Sequence, residues 1–354
     1  MSPDDLTYVA ILIGSVVFSA LLRLVPRHSR ATASAAVGAV AIAGACGEAA
    51  IHPASGLLLA IANHVFMPPG MRRGGAFVLA FSHLGVLRAL GVATGPTNAA
   101  LLVLVLRFAA AGDAEDGPRS AAELVRYTCC YHGLFTAPFY TYAEWAAAMR
   151  APQPLPMARD LARAVLAVLV ALVVWQGVAK QFPFSHALDV EAWEGWHSHR
   201  ALYFYASSFQ YRFRFYACWL VMRVSAMLLG FAQTSNVDLG ATELCTSPSE
   251  YIAGWNTSVQ SWLKAFVYRP LPRSTPRSVR QLVVFGVSAF WHGIHPGYYL
   301  CFAGMFVMVN VEALVRASLL PLVPPWAMRG LLGRLVGLGC HLWTMWCFCY
   351  TVGL

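Results

Sequence analysis

Charged side chains are scarce in this sequence. Only 12% of the 354 residues are Asp, Glu, Lys or Arg, whereas 58% are hydrophobic. A soluble domain usually carries about 25% charged residues, and a water-soluble core of ordinary shape cannot hide this much apolar surface. A lipid solvent removes that difficulty. The composition therefore predicts an integral, multi-pass membrane protein.

The sequence also lacks features that mark other classes of protein. Lysine occurs only at Lys180 and Lys264, and the net charge is +9. The basic residues lie mostly in loops, as is typical of membrane proteins with basic cytosolic loops. No basic patch alternates with exposed aromatics in a soluble module, so we expect no nucleic-acid partner. The nine cysteines contain no C-x-x-C pair, and neither a zinc site nor a disulfide framework is predicted.

Apolar segments follow one another from Tyr8 to the C-terminus without a long polar interruption. This pattern predicts one membrane-embedded domain over residues 1–354, with an all-α fold: a polytopic bundle of transmembrane helices. Several segments are shorter than the roughly 20 residues that cross hydrocarbon, and Pro and Gly interrupt them. They indicate re-entrant or tilted helices around an internal chamber, because non-helical backbone at membrane depth must be buried in protein or line a cavity. The candidate spans are residues 8–25, 34–50, 76–92, 98–111, 161–179, 216–232, 282–290, 294–318 and 332–353.

Two histidines stand between two apolar runs near the C-terminus. The string Trp291-His292-Gly293-Ile294-His295-Pro296-Gly297-Tyr298-Tyr299 separates residues 283–289 from residues 300–309. An ionisable residue at membrane depth is costly and indicates a functional site. The Gly and Pro residues of the string would interrupt a helix and let backbone approach a ligand. An unperturbed histidine titrates at about pH 6.5, so its neutral form is available as a base.

Other interpretations of this string stay open. A single buried histidine is often only a hydrogen-bonded core residue. An H-x-x-H pair supplies two metal ligands, but Cys301 is the nearest further candidate in sequence, and we expect no metal and no cofactor. Ser288 lies one helical turn before His292, yet it lacks the G-x-S-x-G elbow of a nucleophilic serine.

A second polar group, Asn256, lies too far upstream of His292 to share a helix face with it, so only the tertiary fold could bring the two together. Its carboxamide can donate to a carbonyl oxygen and accept from a hydroxyl, but taken alone Asn256 is also typical of a helix N-cap. The neighbouring Trp255 suits a membrane interface.

Basic residues and no acid occupy the segment from 264 to 280. They could capture CoA phosphates or an anionic lipid head group, although an ordinary cytosolic loop has the same composition. Arg223 falls inside an apolar run instead, so we expect it to face the bundle interior with an acidic or carbonyl partner. The basic residues of the segment are Lys264, Arg269, Arg273, Arg277 and Arg280.

The W-H-G-x-x-P-G-Y-Y string at 291–299 resembles the signature of the membrane-bound O-acyltransferase family. Trp255-Asn256 followed by Trp262-Leu263 resembles the companion asparagine motif, and the similarity is nearest to the lysophosphatidylinositol acyltransferase branch. Supporting stretches occur in the same order along the chain: Met1-Ser2-Pro3 with Leu6-Thr7-Tyr8, Thr97-Asn98-Ala99, Pro138-Phe139-Tyr140-Thr141-Tyr142 with Trp145, and Phe213-Arg214-Phe215-Tyr216 with Trp219.

The resemblance implies that His292 is the catalytic base and Asn256 its polar partner. Acyl-CoA, as co-substrate, would reach an internal chamber from the cytosol, and a lysophospholipid would enter from the bilayer. The reaction implied is fatty acyl transfer to the sn-2 hydroxyl of lysophosphatidylinositol, in the endoplasmic reticulum membrane. The family usually has more spans than this chain offers, so we expect a truncated or divergent C-terminus. Candidate substrate contacts are Trp255, Trp291, His295, Tyr298, Tyr299, Lys264, Arg269, Arg273 and Arg223.

Three rival functions stay open at this stage. Another branch of the same family would acylate a different lysophospholipid, a sterol or a protein. A transporter would use intramembrane His and Arg as a path, but it predicts inverted repeats, and none is visible in the sequence. A non-catalytic lipid-binding scaffold could keep the fold, although intact Asn256 and His292 argue against it. The sequence says nothing of oligomeric state.

Overall fold

A computed structural model of the chain describes residues 3–93, 95–112, 117–136, 138–150, 156–189, 191–194, 197–232, 234–318, 320–323 and 330–352. Within these residues all regular structure is helical and none is strand, which confirms the all-α class. Met1, Ser2 and Leu354 lie outside the described residues. The chain divides into an N-terminal unit, Met1–Ala167 with Cys218–Asn236, and a C-terminal unit, Val168–Ala217 with Val237–Leu354.

Helices α1 to α7 belong to the N-terminal unit, and α11 to α16 belong to the C-terminal unit, while α8 and α10 run through residues of both. A 3-10 turn, Gly47–Ala50, joins α2 to α3, and a π-helix, Lys264–Tyr268, follows α13 directly. The helices are α1 (Pro3–Leu22), α2 (Arg27–Cys46), α3 (Ile51–Phe66), α4 (Pro69–Ala89), α5 (Gly95–Ala111), α6 (Ala121–Thr128), α7 (Tyr142–Arg150), α8 (Ala158–Gln181), α9 (Phe184–Leu188), α10 (His197–Leu229), α11 (Leu239–Glu243), α12 (Pro248–Gly254), α13 (Thr257–Leu263), α14 (Arg277–His292), α15 (Pro296–Ser318) and α16 (Gly330–Val352).

Three helical stretches of the described chain are long and apolar enough to cross a membrane. They are Arg27–Phe66, which runs through α2 and α3, Ala158–Gln181 and Pro296–Ser318; Leu6–Leu22 and Gly95–Ala111 are apolar but shorter. Along α8, large apolar side chains stay exposed, with Val173 at 72%. Apolar side chains left outside the protein interior are what a lipid-facing helix presents. The candidate spans of the sequence all fall on helices, with differences at their ends.

Prolines mark where several of these helices begin. Pro26 precedes α2, Pro276 precedes α14, and Pro248 and Pro296 stand in the first turns of α12 and α15. The fixed φ of proline suits a helix start, where its missing N–H would have no helical partner. The predicted span at 294–318 therefore begins at Pro296, and α14 ends before it at His292.

The N-terminal unit buries an irregular segment, residues 129–136, against its helices. Gly38 of α2 meets this segment so closely that a Cβ there would overlap the Cys129 carbonyl. Buried backbone outside a helix needs partners for its carbonyl oxygens, and Arg107 of α5, itself fully buried, supplies them. Its guanidinium donates to the oxygens of Thr128 at 3.0 Å and Cys130 at 2.7 Å, and also to that of His132.

Aromatic side chains enclose this cation. The Arg107 guanidinium lies 4.6 Å from the centre of the Tyr140 ring, and the Tyr140 hydroxyl donates to the same His132 oxygen at 3.0 Å. Tyr127 donates in turn to the Tyr140 carbonyl at 2.8 Å. One arginine thus holds the buried segment between α6 and α7 in place.

Arg107→Met should lower the apparent unfolding temperature of the detergent-solubilised protein by several degrees. The carbonyl oxygens of Thr128 and Cys130 lose their donor, and that of His132 keeps only the Tyr140 hydroxyl. Each buried acceptor left without a donor costs about 1–3 kcal/mol. The control is Arg163→Met, because the Arg163 side chain is 62% exposed and its ion pair is with Asp160 on the same helix surface, an interaction worth about 0–1 kcal/mol. Thermal scans of both variants decide the point, and equal shifts would contradict the role given to Arg107.

Candidate active site

Helices α14 and α15 form a hairpin with His292 at its turn. His292 is the last residue of α14, and α15 starts four residues later at Pro296. The two helices pack along their length; the ring of Phe285 lies 6.4 Å from that of Phe302 and 6.1 Å from that of Phe306. The predicted helix break at Gly293 and Pro296 is confirmed. It places the histidine at a helix end rather than in mid-span.

Three aromatic rings surround the His292 imidazole. Trp291, which is buried, meets it edge to face at 4.8 Å, while Tyr298 stacks at 5.8 Å and Phe302 lies tilted at 5.1 Å. Tyr298 and Phe302 are four residues apart on α15, so they share one helix face. His292 itself is half-buried. The imidazole therefore sits in an apolar aromatic setting and still has an open side.

The Tyr298 ring lies directly against Gly293. A Cβ at Gly293 would overlap two carbons of that ring. The backbone at Gly293 is extended, with φ 174°, so the glycine is required by close approach rather than by its φ. Any side chain at this position would push Tyr298 off its stack with His292.

His295 and Tyr299 do not join this aromatic group. His295 is exposed, and its Nδ1 accepts the backbone N–H of Gly297 at 3.2 Å, which satisfies an amide at the start of α15. Its carbonyl accepts from the Tyr298 N–H at 3.1 Å. Tyr299 is 41% exposed. The geometry thus gives His295 a capping role, and the substrate contacts predicted for both residues stay predictions.

Asn256 stands at a second helix break, between α12 and α13. It occupies the N-cap position of α13, as its sequence suggested, but its side chain makes no capping hydrogen bond. Its φ of 47° and ψ of 51° are left-handed, and it is the non-glycine residue with positive φ in the described chain. Such a conformation costs roughly 1 kcal/mol or more, and asparagine tolerates it better than most residues.

Trp255 lies on an aromatic platform beside this turn. Its indole stacks on Tyr251 at 5.9 Å and meets Tyr216 edge to face at 5.6 Å. The Tyr216 hydroxyl donates to Glu243 at 2.6 Å, and Glu243 accepts two further bonds from Arg212, at 2.9 and 3.1 Å. The platform contacts a largely buried ion pair, which helps to fix the residue next to Asn256.

Helix α16 completes the support of this platform. Phe348 stacks on Tyr251 with 4.0 Å between ring centres, and Met345 packs into the same buried cluster as Cys245. His341 bonds the Cys245 carbonyl through Nδ1 at 2.9 Å. Burial, with help from nearby carboxylates, raises the pKa of the Cys245 thiol to about 11. That thiol stays protonated near neutral pH and is a poor nucleophile.

The structure links the two motifs through the backbone. The π-helix that continues α13 packs on α14, and π-helical turns are rare and often occur at functional sites. Asn256 and His292 both belong to the C-terminal unit. The direct pairing of their side chains stays a prediction.

The basic segment 264–280 presents its cations to the outside. Lys264, Arg269 and Arg273 are exposed, and no ion pair involving them is found within the described residues. Arg280 differs, because its guanidinium lies 4.6 Å from the centre of the Tyr268 ring. Three such cations on one exposed segment are suited to a polyanion.

Arg223 lies in the N-terminal unit, on α10, and is half-buried. Its Nε is shielded from solvent and has no hydrogen-bond partner among the described residues. The acidic or carbonyl partner that we expected for Arg223 is not found among the residues that the structure describes. Its predicted contact with substrate stays a prediction.

Sequence reasoning missed several residues of this site. Phe302 could have been found, because it follows Tyr298 at helical spacing after Pro296. The pairing of Arg212 with Glu243 gives no local signal, since the two are 31 residues apart. No group of three or more His, Cys, Asp or Glu side chains suited to a metal is found among the described residues.

Comparison with known proteins places these motifs in a family. The model of the membrane-bound O-acyltransferase family matches residues 21–349. A Xenopus laevis protein, membrane-bound acylglycerophosphatidylinositol O-acyltransferase mboat7, is 25% identical, with 90% of this chain and 81% of the relative covered. The Homo sapiens protein of the same name is 24% identical over the same shares. The Saccharomyces cerevisiae lysophospholipid acyltransferase is 26% identical over 51% of this chain and 35% of its own. With a family match over most of its length and apolar helices that suit a bilayer, this integral membrane protein belongs to the membrane-bound O-acyltransferase family.

Proposed function

We propose that this protein transfers a fatty acyl chain from acyl-CoA to the sn-2 hydroxyl of a lysophospholipid, with lysophosphatidylinositol as the first acceptor to test, in the endoplasmic reticulum membrane. The observation that carries the proposal is the position of His292, at a helix end within an aromatic group and beside a glycine against which the Tyr298 ring packs. The frog and human relatives are named for transfer to acylglycerophosphatidylinositol, which supports the choice of acceptor.

Acyl transfer requires a base and two substrates held in the correct orientation. Neutral His292 accepts the proton of the sn-2 hydroxyl while the oxygen attacks the thioester carbonyl carbon. The carbon–sulfur bond then breaks, and the imidazolium returns its proton to the leaving CoA sulfur. The products are the ester and free CoA thiol. A base positioned in this way is worth about 10²–10⁴-fold in rate.

Asn256 holds the reacting groups in line in this mechanism. Its carboxamide N–H groups donate to the thioester carbonyl oxygen, where negative charge develops, while the hydroxyl proton goes to His292. Because the thioester already carries the activation, the transfer needs no metal, nucleotide or flavin. Correct alignment of two bound reactants can contribute more than the base itself.

The exposed cations of segment 264–280 bind the CoA phosphates in this proposal. Lys264 is the first residue of the π-helix that follows α13, and Arg269 comes directly after its last residue. Arg273 lies in the loop before α14. Phosphate oxygens accept charge-assisted hydrogen bonds from such side chains. The segment would hold the nucleotide end of the donor while its acyl end reaches His292.

His292→Ala should lose nearly all acyl transfer while the protein still inserts and folds, because the substitution removes the base and leaves the helix hairpin intact. The control is His28→Ala, at an exposed histidine of α2. The assay is turnover of purified, detergent-solubilised protein with acyl-CoA and lysophosphatidylinositol. Wild-type turnover in the His292 variant would end the assignment.

A panel of acceptors tests the substrate. Purified protein is incubated with labelled acyl-CoA and, separately, lysophosphatidylinositol, other lysophospholipids, a sterol and a peptide, and products are identified by mass spectrometry. Turnover that is greatest with lysophosphatidylinositol supports the proposal. Transfer to another acceptor alone would replace the substrate, and no transfer to any acceptor would favour a transporter or a lipid-binding scaffold.

Gly293→Ala should reduce turnover about tenfold or more with little change in stability. The added methyl group displaces the exposed Tyr298 ring from its stack on His292, and small misplacements of a reacting group are costly. Gly286→Ala in α14, the helix that ends just before Gly293, is the control, because a Cβ there meets no atom within 4 Å. Equal turnover in the two variants would show that the Tyr298 stack is irrelevant to catalysis.

Arg269→Ala combined with Arg273→Ala should raise the KM for acyl-CoA about three- to tenfold, which corresponds to about 0.7–1.4 kcal/mol of lost binding. The KM for the lysolipid should stay unchanged, and the salt dependence of acyl-CoA binding should weaken. Arg27→Ala, at an exposed arginine of the N-terminal unit, controls for the loss of charge. A rise in the lysolipid KM instead would reassign the segment to the lipid head group.

A further inference from the structure

The turn that carries Asn256 is built across two short helices. Helix α12 ends at Gly254, Trp255 is extended, and α13 begins at Thr257. Between them, Asn256 has left-handed φ and ψ angles, which asparagine adopts more readily than most other non-glycine residues. Each short helix leaves backbone groups at its end without helical partners, so side chains have to supply partners at the turn.

Gln260 holds it from the following turn of α13. Its side-chain nitrogen donates to the Trp255 carbonyl at 2.6 Å and also to the Ile252 carbonyl. Only the amide nitrogen of glutamine can donate to a carbonyl, so these contacts fix the orientation of the carboxamide. The Gln260 backbone N–H donates to the Asn256 carbonyl at 3.1 Å. One residue thus bonds to the chain on both sides of Asn256.

The remaining contacts fix the same turn from the α12 side. The Asp238 N–H donates to the Gly254 carbonyl at 2.9 Å, and a Cβ on Gly254 would overlap that of Ala241. These contacts secure the end of α12 but do not reach the peptide before Asn256. The Trp255 carbonyl belongs to that peptide, and it accepts the Gln260 side-chain bond.

We propose that Gln260 is a positioning residue for acyl transfer: its carboxamide clamps the Trp255–Asn256 peptide and so aims the Asn256 side chain at the reacting groups. The inference rests on the proposed function, because it takes Asn256 as the residue that aligns the two substrates. Gln260 acts on the orientation of the peptide, which sets the direction of the Asn256 Cα–Cβ bond. It touches no substrate itself.

The test replaces the donor without changing the size of the side chain. Gln260→Glu keeps the shape, but an ionised carboxylate cannot donate and would repel the two carbonyl oxygens. We expect turnover per folded molecule to fall about tenfold or more, with the KM for acyl-CoA and for lysolipid each within about twofold. Gln181→Glu, at an exposed glutamine that ends α8, controls for the added charge.

A pH profile separates positioning from simple structural support. In the Gln260→Glu variant, protonation of the introduced carboxylate restores one donor, so the ratio of its turnover to that of the wild type should rise as the pH falls through the carboxyl pKa. A residue needed only for stability would instead lower the yield of folded protein and leave turnover per folded molecule unchanged. A ratio near one at every pH overturns the proposal.

Two further variants help to separate a catalytic effect of Gln260→Glu from a failure to fold. Gln260→Asn retains the carboxamide but is one methylene shorter, so it should fold and show a turnover loss in the same direction. Failure of both Gln260 variants to fold would assign the residue to folding and overturn the positioning role. Asn256→Gly, in which glycine adopts the left-handed turn freely, is measured beside them. If the wild-type protein transfers no acyl chain, the proposed function fails. If Asn256→Gly and His292→Ala stay active, the catalytic roles of those two residues fail, and the role of Gln260 fails with them; if they lose activity while Gln260→Glu keeps it, only the role of Gln260 fails.

Discussion

The structure depends on a single constraint: where a helix breaks inside apolar surroundings, the released backbone groups must find other partners. The protein meets this need with side chains that reach into the breaks. Arg107 supplies donors to three carbonyls at the end of α6 and in the buried segment after it. Gln260 supplies one to a carbonyl in the last turn of α12 and one to the Trp255 carbonyl that follows, and His295 accepts the free amide at the start of α15. In each case the side-chain hydrogen bond replaces a helical bond that the backbone loses at the break.

This constraint explains where the proposed catalytic groups lie. His292 ends α14 and Asn256 joins α12 to α13, so both stand at breaks rather than within continuous helices. Within a helix, side chains point outward at fixed angular spacing. At a break, the backbone can turn one side chain in a direction that this spacing does not allow. The aromatic rings around His292 and beside Asn256 shield part of each position from solvent, and hydrogen bonds are stronger in such surroundings.

Local signals in the sequence predicted one break and missed the character of the other. Gly293 and Pro296 act on their own backbone, so the end of α14 could be predicted without any knowledge of the fold. Asn256 was recognised as a helix-start residue, but its left-handed turn depends on Gln260 and on the packing of Gly254 against α11. The Arg212–Glu243 pair beneath Trp255 joins residues 31 apart, and nothing in the sequence around either residue indicates its partner. The periodicity of the sequence cannot predict a tertiary contact of this kind.

Two of the described nucleophiles, Cys245 and Ser288, are poorly suited to form an acyl-enzyme. The thiol of Cys245 is buried with its pKa raised to about 11, so almost none of it is thiolate near neutral pH. Ser288, one turn before His292, is only 6% exposed and has no elbow that would present its hydroxyl to a thioester. A covalent route would also need room for the acyl group at a buried helix face. Direct transfer to a lipid hydroxyl needs only a base and alignment, and those are the two roles proposed for His292 and Asn256.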